Sequence, residues 1–64
     1  MVVSENMAKE WENILTTMIT NNSNLDVEEV RTYEEAGVLT NDKGIVIYTE
    51  DGEVEITIQA FKRR

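Results

Sequence analysis

The sequence predicts an α+β fold in which an N-terminal helix packs on a small antiparallel sheet of about three strands ending in a C-terminal β-hairpin. Two observations carry this prediction. Apolar residues recur with helical spacing in the first twenty positions. Near the C-terminus, two runs rich in Ile, Val and Thr flank Asp51-Gly52, a dipeptide typical of hairpin turns. A chain of 64 residues is long enough for one small domain, spanning 1–64.

The helix is predicted over residues 5–20. Ser4 suits the N-cap position, and Glu5 places a negative charge in the first turn, where the helix dipole favours it. At about 100° per residue the apolar side chains of this segment cover an arc of about 140°, the width of a core-facing stripe. They are Met7, Ala8, Trp11, Ile14, Leu15, Met18 and Ile19. The polar run Asn21-Asn22-Ser23-Asn24 is expected to end the helix.

Residues 27–37 allow two interpretations. Val30-Arg31-Thr32-Tyr33 has the composition of a strand, and Glu34-Glu35-Ala36-Gly37 would form a single turn after it. Alternatively, Asp26 caps a short helix that ends at Gly37. We favour a strand near 27–33, because a lone two-stranded hairpin is poorly stable and needs a third strand or a packed helix.

The hairpin is predicted over residues 44–61. A two-residue Asp51-Gly52 loop brings the apolar residues of both strands to one face. It pairs Glu50 with Glu53, Thr49 with Val54, Ile47 with Ile56 and Ile45 with Ile58. A three-residue loop would set Ile47 opposite Glu55 and is rejected. A four-residue loop keeps the same pairs and relieves the repulsion between Glu50 and Glu53, so it remains open.

The two faces of this hairpin differ in character. The inner face is expected to cover the helix, with Trp11 at the centre of the core and with Glu10 and Glu12 flanking the apolar stripe. The inner-face residues are Ile45, Ile47, Val54, Ile56, Ile58 and Ala60. The other face carries Val46, Tyr48, Glu53, Glu55, Thr57, Gln59 and Phe61. It is either an ordinary solvated face or a dimer or partner surface marked by its two aromatic residues and Val46.

The charge is strongly unbalanced. Thirteen acidic residues stand against six basic ones, giving a net charge of −7. Three of the six lie in the basic tail 62–64, so residues 1–61 hold thirteen acids against Lys9, Arg31 and Lys43 alone. Such a surface repels nucleic acid and anionic membranes and attracts basic partners. We therefore expect no direct binding to nucleic acid or to membranes.

Composition also limits the chemistry. The absence of His and Cys removes the usual proton shuttle, thiol nucleophile and zinc ligands. We predict no enzymatic activity, no cofactor and no metal site. The N-terminal residues lack a basic signal region, and no apolar run approaches the ~20 residues of a membrane span, so we expect a cytoplasmic protein. Because neither disulfide nor metal supplements the small core, we expect a homodimer, formed through an edge strand or through helix surface around Met18 and Ile19.

Small size, strong acidity and one helix on an antiparallel sheet resemble phage-encoded inhibitors that imitate the charge of DNA. Examples are the uracil-DNA glycosylase inhibitors and the phage inhibitor of the bacterial histone-like protein HU. The resemblance covers length, charge and architecture, without a shared motif. It implies a stoichiometric inhibitor that occupies the DNA-binding surface of a basic host protein.

For such an inhibitor we expect the carboxylates to form a continuous track, with Glu10 and Glu12 at the edge of the helix. The candidate partner-binding residues are Glu28, Glu29, Glu34, Glu35, Glu50, Asp51, Glu53 and Glu55. One alternative is a structural or adaptor homodimer whose acidity serves solubility only. Another is an anti-toxin or anti-defence protein that inhibits by shape rather than charge.

Overall fold

The computed structural model describes residues 2–22, 24 and 26–63 and confirms the α+β prediction. The elements in chain order are β1 Val2–Val3, α1 Glu5–Thr20, β2 Glu29–Thr32, α2 Tyr33–Ala36, β3 Lys43–Thr49, β4 Gly52–Ile58 and β5 Phe61–Lys62. Strands β2, β3 and β4 form an antiparallel sheet in that order, and β1 pairs with β5 in a separate two-stranded ribbon. Neither helix in this described part of the chain is long and apolar enough to cross a membrane.

Helix α1 has the bounds that the sequence predicts. Ser4 is the N-cap, and its hydroxyl accepts the backbone N–H of Met7 at 3.3 Å. The helix ends at Thr20, and Asn21 at the C-cap donates its N–H to the carbonyl of Thr17 at 3.0 Å. Ser23, part of the predicted stop, lies outside the described residues.

The segment after α1 contains both a strand and a helical turn, as the favoured interpretation expects, although the strand is shorter. Strand β2 begins at Glu29 and ends at Thr32, because Thr32 caps α2. The Thr32 hydroxyl accepts the N–H of Glu35, and the Glu35 carboxylate accepts the N–H of Thr32, which together form a capping box. Gly37 ends α2 with a φ of 75°, a left-handed conformation that favours glycine.

The hairpin forms, but its register differs from the predicted one by two residues. The loop is Glu50-Asp51, and Thr49 pairs with Gly52. Ile47 therefore faces Val54, and Ile45 faces Ile56. A shift of two residues leaves every side chain on its predicted face.

The turn has negative φ at both central residues, Glu50 and Asp51, as a type I turn does, and this explains the register. No described residue other than glycine has a positive φ, which excludes the turn types that need one at a central position. Gly52 then occupies the fourth turn position, where glycine is favoured, with a φ of 155°. The Thr49 hydroxyl donates to the carbonyl of Gly52 at 3.0 Å and accepts its N–H at 3.2 Å. Glu53 consequently lies opposite Tyr48 rather than opposite Glu50.

The C-terminal part of the predicted hairpin belongs to another sheet. Strand β4 ends at Ile58, and β5 pairs with β1 so that Lys62 faces Val2. Ser4 donates its N–H to the carbonyl of Ala60 at 2.8 Å, which fixes the start of α1 beside this ribbon. The predicted basic tail 62–64 is therefore partly a strand, whereas Arg64 lies outside the described residues.

Helix α1 packs mainly against β3 and β2 and only slightly against β4. It covers the sheet face that carries Ile45, which is completely buried. The prediction that Trp11 forms the centre of the core is wrong: its side chain is 47% exposed in the single chain. The helix is rotated so that Ala8 and Glu12, rather than Trp11, face the sheet.

Glu12 explains the rotation. It is buried, and its Oε2 accepts the backbone N–H of Gly44 at 2.9 Å. Pairing between β2 and β3 ends at Thr32 and Ile45, so Gly44 lies just beyond the end of β2. The Glu12 carboxylate therefore supplies the acceptor for the Gly44 N–H at the point where β2 no longer pairs with β3, because a buried N–H needs an acceptor. The prediction that Glu12 flanks the core and contributes to an acidic track is wrong.

Candidate binding surfaces

All eight acidic residues predicted to bind a partner are exposed, and all except Glu28 lie in two groups. The first group surrounds the hairpin turn and the sheet face opposite α1, which we call the outer face. The second group, Glu34 and Glu35, lies on α2 beyond the end of β2. Glu28 precedes β2, and its N–H donates to the carbonyl of Tyr48 at 2.8 Å. The expected continuous track is thus divided between the outer face and α2.

The outer face brings three carboxylates together in neighbouring rows. One row runs from Glu29 across Tyr48 to Glu53, and the next contains Arg31, Val46 and Glu55. Adjacent strands are about 4.8 Å apart, and alternate residues on one strand are about 6.8 Å apart. We define the acidic face as these carboxylates together with the two acidic residues of the turn. Its members are Glu29, Glu50, Asp51, Glu53 and Glu55.

Arg31 neutralises part of the acidic face. Its Nε lies 3.0 Å from Oε1 of Glu29, and its guanidinium lies over the ring of Tyr48, 5.8 Å from the ring centroid. The hydrogen bond and the charge of Glu29 raise the pKa of Arg31. This is the one ion pair within residues 2–22, 24 and 26–63. Both partners are about half exposed, so the pair contributes little to stability, but it reduces the charge available at Glu29.

Glu35 has a local structural role in addition to its charge. Its Oε1 accepts the backbone N–H and the hydroxyl of Thr32, each at 3.1 Å. These hydrogen bonds, the backbone one first, lower the pKa of Glu35. Sequence reasoning missed this role, although Thr32-Tyr33-Glu34-Glu35 has the capping-box pattern of Thr followed three residues later by Glu.

The aromatic part of the outer face is less accessible than the sequence suggests. Val46 is only 2% exposed, so it cannot mark a partner surface. Tyr33 is also buried, with its ring against Gly44 and its hydroxyl 2.7 Å from the hydroxyl of Thr57. The outer face is therefore partly covered near α2, and its accessible part is the acidic end near the turn. Phe61 is exposed but belongs to β5.

A second surface lies on the other side of the molecule and is apolar. It consists of one side of α1 and the part of β4 that α1 leaves uncovered, and all its large side chains are exposed. We call it the apolar flank, and its members are Met7, Trp11, Ile14, Met18, Val54 and Ile56. Sequence reasoning assigned most of these residues to the core.

The chain also has a groove of about 680 Å³ between α1 and the segment that follows α2, bordered by Lys9, Glu12 and Tyr33. The carboxylate of Glu12 and the hydroxyl of Tyr33 already have hydrogen-bond partners. Among the described residues, no buried polar side-chain atom lacks a partner, and no three acidic residues converge as they would around a metal ion. The two buried polar groups that line the groove are therefore already engaged within the protein.

Comparison with known proteins identifies no relative: no family model, no curated protein and no solved structure matches the chain.

Proposed function

We propose that this protein is a non-enzymatic binding protein whose acidic face occupies the DNA-binding surface of a basic protein, such as the histone-like protein HU. The observation that supports this proposal is the separation of charge from apolar surface. Glu53 and Glu55 lie on the outer face, whereas the apolar flank lies on the side of α1. A partner that approaches the outer face meets carboxylates without meeting exposed apolar side chains.

The spacing of the carboxylates favours joint action on one partner. Glu53 and Glu55 lie about 6.8 Å apart along β4, with the turn residues Glu50 and Asp51 at the end of the same strand. The Debye length at physiological ionic strength is about 8 Å, so these charges act together on a cation near the face. Duplex DNA presents about one charge per 1.7 Å of its axis, and a surface that binds it carries several Lys and Arg residues.

The basic residues near the C-terminus are compatible with this role. Lys62 lies beyond Ile58, the end of β4 that is opposite the turn. The seven residues of β4 place that end roughly 20 Å from the turn. This separation exceeds two Debye lengths at physiological salt, so Lys62 does little to cancel the field at the turn.

The proposal is tested by binding the protein to purified HU at several salt concentrations, with duplex DNA as competitor. The variant Glu53→Lys/Glu55→Lys should weaken binding by at least about tenfold. A matched control is Glu10→Lys/Asp26→Lys, which changes the net charge equally at exposed positions outside the acidic face and should have a much smaller effect. Lys9→Glu, on the other side of the protein, should also have little effect.

Two results would contradict the proposal. One is binding that hardly depends on salt, because a charge-driven contact must weaken as salt screens it. The other is a ternary complex in which HU retains its DNA. Failure with HU alone, together with salt-dependent binding to another DNA-binding protein, would change the partner and leave the mechanism intact.

The alternative is a structural or adaptor homodimer whose acidity serves solubility only. The exposed apolar side chains of α1, Trp11 and Met18 among them, favour this alternative, because exposed apolar patches mark protein–protein contacts. It predicts that reversing the charges of Glu53 and Glu55 leaves binding of its partner unchanged.

A further inference from the structure

The apolar flank is unusually large for a chain of this size. Its six side chains are between 36% and 60% exposed, and Met18 is the most exposed of them. The buried apolar residues of the described part of the chain are smaller in total, and they are Ala8, Tyr33, Ile45, Val46 and Ala60. More large apolar side chains are therefore exposed on this surface than are fully buried in the described part of the chain, an arrangement that marks an interaction site.

The helical part of the flank forms a single stripe. Met7, Trp11, Ile14 and Met18 are spaced by four, three and four residues, the spacing that aligns side chains along one side of a helix. At about 100° per residue they span roughly 60° of the helix circumference. This narrow seam is the kind that packs against another helix.

The stripe faces the uncovered part of the sheet. Lys9 and Glu12 lie on the side of α1 that borders Tyr33 and Glu34 of α2, the helix that directly follows β2. The stripe occupies the opposite side of the helix, which is the side of β4. Val54 and Ile56 on β4 point to the same sheet face as Ile45, yet α1 leaves them exposed. The helix and the edge strand β4 therefore both present exposed apolar side chains on this side of the molecule.

The accessible surface of the chain is larger than that of an average folded monomer of its mass. It is 5142 Å², whereas a folded monomer of 7.4 kDa exposes about 4,200 Å². The excess is roughly 900 Å², close to the ~800 Å² that each partner contributes to a standard interface. The radius of gyration, 12.5 Å, also exceeds the ~10.7 Å of a compact chain of 64 residues. The excess area thus matches one half of a dimer interface.

We propose that a second copy of this chain covers the apolar flank and forms a two-fold symmetric homodimer through it. A helical seam is self-complementary, because the same stripe on a second copy supplies the facing side chains. The charges also permit this contact. Glu53 and Glu55 lie on the outer face, so two copies that meet through their flanks keep these carboxylates apart.

This interface is distinct from the acidic face and does not depend on the proposed function. The sequence pattern allowed the outer sheet face, marked by Val46 and two aromatic residues, as one possible dimer surface. Val46 is buried, so we place the dimer contact on the apolar flank instead. Of the two dimer contacts expected from the sequence, it includes Met18 but extends the contact to Trp11 and to β4.

Sedimentation and tryptophan fluorescence across a dilution series test the proposal. Trp11 is the only tryptophan, so its emission reports directly on the flank. The wild-type protein should sediment as a dimer at micromolar concentration, and its emission should shift to longer wavelength on dilution as Trp11 becomes solvated. Met18→Glu and Val54→Glu should each raise the dissociation constant of the dimer by at least about 30-fold.

Leu39→Glu is the matched control. Leu39 is fully exposed in the segment after α2, outside the flank, so the same substitution there should change the dissociation constant less than about threefold. Met18 is 60% exposed and Val54 49% exposed in the single chain, so glutamate at either position adds no buried charge to the monomer. Circular dichroism verifies the fold of each variant.

A wild-type protein that stays at 7.4 kDa throughout the dilution series, with unchanging emission, overturns the proposal. So do flank variants that dimerise as well as Leu39→Glu. If both flank variants failed to fold, the wild-type dilution series would still decide, because its two readouts require no substitution.

Discussion

Replacing Glu12 with Ala should destabilise the protein far more than replacing an exposed glutamate. Glu12 is 5% exposed, and its Oε2 is the acceptor for the backbone N–H of Gly44, which is itself buried. Truncation removes this acceptor and leaves the N–H inside the protein, beyond the end of β2. The effect is therefore the cost of an unsatisfied buried donor, not the loss of a surface charge.

The magnitude follows from the character of this hydrogen bond. A buried donor that loses its acceptor costs about 1–3 kcal/mol, and a bond to a charged group contributes about 1.5–3 kcal/mol. A domain of 64 residues has a free energy of unfolding of roughly 3–10 kcal/mol, so the loss is a large fraction of the total. For a domain of this size, a loss of about 2 kcal/mol lowers the Tm by roughly 8–16 °C.

The measurement is urea denaturation followed by circular dichroism at one fixed protein concentration. Glu12→Gln keeps an oxygen that can accept the Gly44 N–H, so it should lose less than half as much stability as Glu12→Ala. Glu10→Ala, at an exposed position of the same helix, should change the free energy of unfolding by less than about 0.5 kcal/mol. Equal effects of Glu12→Ala and Glu10→Ala would refute the reasoning, and so would equal effects of the two Glu12 variants.

Two further predictions concern β3 and α2. Gly44→Ala should lower the free energy of unfolding by about 3 kcal/mol, the upper end for overpacking, because a methyl group there would overlap the backbone carbonyl of Ile56 and the ring of Tyr33. A urea denaturation curve that matches that of the wild type would contradict this. Glu35 has a lowered pKa, so its contribution to stability is complete above the ordinary value of 4.5 and is lost as the pH falls through the lower folded value. The stability advantage of wild type over Glu35→Gln should therefore shrink between pH 6 and pH 3, and an advantage that is equal at both would exclude this linkage.

The elements with strong local signals were predictable from the sequence. Ser4 and the helical spacing of apolar residues fix α1, because capping and periodicity act within a few residues. The hairpin faces were also correct, although the turn was not. The Asp51-Gly52 signal favours both residues inside the loop, whereas a type I turn places Gly52 after it. The two registers differ by two residues, so the inner and outer faces are the same in both.

The rotation of α1 could not be predicted in the same way. The apolar arc of about 140° combines side chains that face the sheet with side chains of the apolar flank, and periodicity alone places its centre near Trp11. The buried side of the helix lies roughly 80° away, around Ala8 and Glu12. This rotation depends on a contact between Glu12 and Gly44, 32 residues apart, and on the point at which β2 ends.

The candidate site was also predictable only in part, because its arrangement depends on where β2 ends and on which strands pair. Charge alone predicts that the eight acidic residues are exposed, and they are. Their division into two groups follows from the α2 turn at Tyr33, which separates Glu34 and Glu35 from the sheet. Arg31 lies beside the carboxylates of the acidic face because it is two residues from Glu29 on β2, so both side chains project from the same face of the sheet. This proximity becomes evident only once the bounds of the strand and its two faces are known.

The two proposed surfaces together make a prediction about stoichiometry. If two chains meet through their apolar flanks, the acidic face of each chain points away from the interface, and the dimer carries two separate acidic faces instead of one track of double length. One dimer should therefore bind two copies of a basic partner such as HU, with equal affinity at each site. Met18→Glu should bind one copy per chain with the same affinity, because Met18 lies on α1 and not on the outer face.

Isothermal titration calorimetry gives both the stoichiometry and the affinity per site. The titration should give one partner copy per chain both for the wild-type dimer and for Met18→Glu. The two dissociation constants should agree within about twofold, because binding at one independent site does not change the affinity of the other. A dimer that binds a single partner copy, or a monomeric variant that binds tenfold more weakly, would mean that both chains contribute to one binding surface. The back-to-back arrangement would then be wrong, even if dimerisation and charge-dependent binding both held.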